Sequence, residues 1–160
     1  MRQRKREWVY AGLSIPPGVA VARPVGQAPK DQRRVLLVGG PFAQPLALPL
    51  SALAFGAQAD LRVELRPEQS AYAWDRYGWL RALLQDFHPT AVLLAMEPYD
   101  PASARSLRDL AAAEGAKAVW LPPSGTPPHP GPVAVSGPRV PKPSAQDYAA
   151  WAGAAWNALA

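Results

Sequence analysis

At 160 residues the chain amounts to one domain, and 49% hydrophobic against 18% charged residues supplies a core while leaving too little charge for a disordered chain. The absence of cysteine excludes disulfides, thiol nucleophiles and thiolate metal sites, and two histidines, His88 and His129, are too few for a multi-histidine zinc centre. No apolar run approaches the roughly 20 residues that cross a bilayer, so no membrane span is expected.

The net charge of +5 is unevenly placed. Residues 1–34 hold eight cations (Arg2, Arg4, Lys5, Arg6, Arg23, Lys30, Arg33 and Arg34) against Glu7 and Asp31, whereas the remaining residues are near neutral. Residues 1–32 therefore read as an extended basic N-terminal arm, and 33–160 as the folded body. Such an arm suits an acidic protein surface, anionic lipid or the non-specific tethering of nucleic acid, beside the plainer reading of a solubilising terminus. Within it, Trp8 and Tyr10 beside Arg2–Arg6 resemble an anchor for a pocket on a partner. Ser14, Pro16, Pro17 and Gly18 interrupt the apolar stretch after the cations, which argues against a secretory signal and favours an intracellular or particle-bound setting. Thirteen arginines to four lysines, 20 prolines and a single asparagine fit a hot habitat, a bias that a GC-rich genome also produces.

In chain order, Val35–Val38 is a continuous apolar run closed by Gly39-Gly40-Pro41, the pattern of a buried parallel strand. Helical spacing from Leu46 to Phe55 ends at Gly56. A second strand follows at Asp60–Leu65, then a loop from Pro67 to Ala73, with Ser70 as a turn residue. Asp75 is placed to cap a helix to Phe87, with Trp79, Leu80, Leu83, Leu84 and Phe87 on one face, and His88-Pro89 stops it. Ala91–Met96 is a third strand, Ser103–Glu114 a helix capped by Gly115, and Ala118–Leu121 a fourth strand. Nine prolines in residues 122–143 exclude helix and central strand and predict a long surface loop. Ser144 then caps a final helix from Ala145 to Leu159. Four strand–helix alternations predict a flavodoxin-like three-layer α/β sandwich with a parallel sheet, in which ligands bind outside the carboxyl ends of the strands. Those ends carry Gly39–Ala43, Glu97–Asp100 and the proline-rich loop. Most of the tryptophans (Trp74, Trp79, Trp120, Trp151 and Trp156) fall at core-like or helix-face positions.

Three blocks in order, Val35–Ala43 (VLLVGGPFA), Pro89–Asp100 (PTAVLLAMEPYD) and Lys142–Ala152 (KPSAQDYAAWA), resemble the SGNH hydrolase (GDSL-like esterase/lipase) superfamily over about Arg33 to Leu159. The resemblance implies a parallel-sheet hydrolase scaffold whose serine nucleophile follows the first strand. Its histidine base, oriented by an aspartate, opens the last helix, and glycine and asparagine complete the oxyanion hole. Here the nucleophile position is Pro41, preceded by Gly40 in place of aspartate. The oxyanion-loop glycine and asparagine positions hold Glu97 and Tyr99, and the base and its orienting aspartate become Lys142 and Arg139. Proline offers neither hydroxyl nor N–H, and a lysine near neutral pH cannot accept a proton unless strongly desolvated. Loss of nucleophile or base alone removes on the order of 10⁶ in rate. No serine-esterase activity, cofactor or metal is therefore expected. The expected role is a non-catalytic structural or assembly module whose arm clasps neighbouring subunits of a larger assembly, a homo-oligomer or a virion or tail component among the settings considered. The alternative is an esterase or carbohydrate- or lipid-binding descendant with a rewired cleft, where Arg139 and Lys142 face an acidic ligand and Tyr99 offers a stacking surface. Glu97 and Asp100 as a carboxylate pair, and His88 as a ligand, are weaker readings than helix-end chemistry.

Overall fold

The computed structural model describes residues 32–67, 70–97, 100–123 and 133–160. Five strands, β1 (Arg34–Gly39), β2 (Asp60–Leu65), β3 (Ala91–Ala95), β4 (Lys117–Trp120) and β5 (Val133–Ala134), form one sheet in the order β2-β1-β3-β4-β5. Every pairing is parallel, with Val35 opposite both Leu61 and Ala91, and Leu93 opposite Val119. The strand order is that of flavodoxin-like sandwiches, with a topological switch between β1 and β3. β1 and β3 are buried nearly throughout, because helices cover both faces of the sheet.

A 3₁₀ turn (Pro41–Ala43) leads from β1 into α1 (Gln44–Gly56). The other helices are α2 (Ala71–Arg76), α3 (Trp79–Phe87), α4 (Pro101–Ala113) and α5 (Ala145–Ala158). α1 and α5 cover one face, where Leu46, Leu50, Ala54, Trp151, Ala152 and Ala155 pack on Val35, Leu37, Leu93 and Val119. α2, α3 and α4 cover the other, where Trp74, Leu80, Leu84, Leu107 and Ala111 pack on Leu36, Val38, Val92, Leu94 and Trp120. Alternate residues of β1 thus feed opposite cores, as the two-residue period of a strand dictates. The α/β layering and parallel sheet expected from the sequence are present.

Several boundaries depart from expectation. The stretch expected as loop up to Ala73 already contains α2, started by Ser70, whose Oγ accepts from Ala73 N at 3.2 Å. Asp75 does not cap a helix: it lies inside α2, and its Oδ1 accepts from the Ser106 hydroxyl at 2.7 Å. One long helix is replaced by two, because the chain breaks at Tyr77-Gly78, where Gly78 takes the left-handed conformation (φ +70°) that glycine adopts without cost. α1 starts two residues earlier than expected and runs through Pro49, which has no N–H to give the helix. The proline-rich segment contributes the short strand β5 at the border of the sheet, a position that tolerates neighbouring prolines. Ser144 caps α5 as expected, in a reciprocal capping box with Asp147.

Candidate functional site at the carboxyl end of the sheet

Gly39 ends β1 with φ +145°, and a Cβ there would stand 1.8 Å from the Ala95 carbonyl oxygen. Only glycine permits β1 and β3 to approach this closely at the switch point, and Gly40 N donates to the same Ala95 oxygen at 3.1 Å. Arg66, just past β2, donates its backbone N–H to Gly39 O at 2.9 Å, so the three strand ends are locked together. Above β3, Ser70 and Glu97 form an isolated parallel bridge, and Ala71 N donates to Glu97 O at 3.2 Å.

Each expected site residue has a place relative to this frame. Gly40 precedes the 3₁₀ turn, and Pro41 opens it as an exposed residue. Glu97 is half-buried beside Ser70, while Arg139 and Lys142 are exposed in the segment between β5 and α5. No hydrogen bond or ion pair joins Glu97, Arg139 and Lys142 among the described residues. Asp100 begins α4 and accepts from the buried Ser103 hydroxyl at 2.6 Å, so it is occupied in the helix entry instead of pairing with Glu97. Tyr99 of the cleft, and Arg2, Arg4, Lys5, Arg6, Trp8 and Tyr10 of the arm, lie outside the described residues, as does His129.

His88 stands at the opposite end of the sheet: it caps α3 in a left-handed conformation (φ +52°), and its carbonyl accepts from Arg34 Nε at 2.7 Å. Its imidazole is thus remote from the crevice. Ser70 Oγ is engaged in capping. Among the described residues no three acidic, histidine or cysteine side chains cluster to hold a metal, and no helix is long and apolar enough to cross a membrane.

Two surface features flank the crevice. Between α1 and α5 lies an apolar groove of about 520 Å³ walled by Pro45, Leu48, Ala52, Phe55, Tyr148 and Ala149. Leu48 and Phe55 expose 54% and 66% of their surface, which is unusual for such residues. On the same face the Phe42 and Trp151 rings stack at 6.5 Å, and the Trp151 indole donates to Val135 O at 2.8 Å. On the opposite face, Arg66 lies over the Trp79 ring at 4.5 Å and Tyr77 stacks on Trp79 at 5.3 Å. Sequence reasoning passed over Arg66. The one available signal was a lone cation directly after a strand, followed by an aromatic-rich helix.

No protein-family model matches this sequence, and neither a curated protein nor a solved structure is found to match it.

Proposed function

We propose that this protein is a non-catalytic assembly module built on an SGNH-hydrolase-like scaffold, with the basic N-terminal arm contacting neighbouring subunits. The observation that carries this reading is Pro41, exposed at the turn after β1 where a hydrolase of that scaffold presents its nucleophile. A proline there can neither attack a carbonyl nor donate an N–H to an oxyanion. Three further placements support it. The base position falls on the exposed Lys142, the imidazole of His88 lies at the far end of the sheet, and Asp100 and Ser70 are occupied in helix starts. The strand order 2-1-3-4-5 is compatible with the scaffold without being peculiar to it.

The arm supplies the association half of the proposal. Its cations would steer it to an acidic partner surface, and Trp8 and Tyr10 would fill a pocket there, the aromatic-plus-arginine composition that dominates binding energy at interfaces. Two measurements test the reading. A serine-reactive probe and an ester panel leave the full-length protein unlabelled and inactive; labelling within the crevice would overturn the non-catalytic half. Light scattering on the full chain, on Trp8→Ala, and on a variant with Arg2, Arg4, Lys5 and Arg6 changed to Gln shows loss of association in both variants. Unchanged association would overturn the arm half and return attention to the body.

A further inference from the structure

We infer that Arg66 and Trp74 form a binding site for a small oxyanion, a phosphate or a carboxylate, beside the carboxyl end of β2. The backbone of Arg66 is held by its bond to Gly39 O, so the side chain starts from a fixed point. Its guanidinium carbon lies 4.5 Å from the Trp79 ring centroid and 6.0 Å from that of Trp74, and the two indoles meet edge to face at 5.4 Å. Three flat groups are therefore packed into one corner. Arg66 Nε is buried there with no acceptor. Trp74 is fully buried, and its indole Nε1 likewise has none.

Both groups are donors only, so neither can satisfy the other. Each left dry and unpartnered carries a desolvation penalty, and two in one neighbourhood call for an acceptor that reaches both. Glu64 does not serve: its carboxylate is 3.6 Å from Nη2, beyond hydrogen-bond reach, and that nitrogen is not the unpartnered one. Other buried guanidinium nitrogens lack partners, but their circumstances differ. Arg62 already holds Asp86 at 2.6 Å, and Arg33 lies over Trp156, which is not among the indoles with an unpartnered N–H.

An oxyanion suits the corner better than a neutral acceptor, since it presents several oxygens and its charge complements the partly desolvated guanidinium. The two donors themselves are dry, but the Arg66 side chain is 38% exposed, so its guanidinium links the corner to the surface. Tyr77, 64% exposed and stacked on Trp79, adds a flat wall for whatever group carries the anion.

Calorimetric titration of the full-length protein with inorganic phosphate, and separately with acetate, at constant ionic strength tests this. Saturable binding of either anion identifies the class of ligand. Arg66→Lys keeps the charge and loses the Nε–H, and is expected to weaken binding about tenfold, roughly 1.4 kcal/mol. Trp74→Phe weakens it several-fold, and Glu64→Gln tightens it by removing a competing negative charge. If Trp74→Phe fails to fold, Arg66→Lys and Glu64→Gln still decide. Absence of saturable binding by both anions, or binding indifferent to Arg66→Lys, would mean that the two donors are served by water or that the anion sits elsewhere, and either result overturns the assignment.

Discussion

The two faces of the sheet are closed by helices in different ways. On the α1/α5 face the buried indole of Trp151 donates to the Val135 carbonyl, and the helices pack through leucine and alanine side chains. On the face covered by α2, α3 and α4, the indoles of Trp74 and Trp120 are equally buried, yet neither N–H finds an acceptor. Arginine side chains from β2 and its exit lie over the aromatic rings of this second face, Arg62 at 6.0 Å from Phe87 and Arg66 over Trp79. Both faces bury a core of apolar side chains against the sheet; the buried indole N–H is satisfied on the first and not on the second. Packing alone therefore distinguishes these faces poorly; what separates them is whether the buried indole N–H groups have acceptors.

The largest test strikes the seam the two faces share. Gly39→Ala forces a Cβ into the Ala95 carbonyl at an unfavourable φ, and is expected to cost about 4 kcal/mol or more, or to prevent folding, as read by urea denaturation. Next, Leu50→Ala on the first face and Leu84→Ala on the second remove side chains of equal burial, and each should lower stability by about 3 kcal/mol in the same assay. A large inequality would show that one face relaxes around the cavity.

The sharper comparison uses one substitution twice. Trp151→Phe leaves the Val135 carbonyl without its donor, whereas Trp74→Phe breaks no hydrogen bond. In anion-free buffer Trp151→Phe should therefore be the more destabilising by about 1–2 kcal/mol, measured by paired thermal and urea unfolding. Smallest are the caps: Ser144→Ala dismantles a reciprocal capping box and Ser70→Ala a single cap bond, each worth about 1 kcal/mol, with Ser144 the larger.

The strands were legible because Val35–Val38 and Ala91–Ala95 are uninterrupted apolar runs of strand length flanked by glycine or proline, as a doubly covered parallel strand requires. The covering helices were less so. Asp75 before an amphipathic run has the look of a cap, but the Ser70 hydroxyl had already started a helix there, and Gly78 supplied the left-handed break that divides it. Periodicity cannot register such a break, since Trp74 and Trp79 both face the core on either side of it. Topology pointed to the carboxyl ends of the strands as the place to look for a site. Its chemistry was not legible, because the neighbourhood of Arg66 is made by residues of β2, α2 and α3 that meet only in three dimensions. β5 is two residues among prolines, too short for any alternation to appear.

That brevity has a consequence for how the molecule behaves in a crowded solution. A border of two residues, followed after a few positions by Pro138, Pro141 and Pro143, offers almost no ladder on which a foreign chain could lay itself down. Growth of fibrils across that margin is starved of rungs.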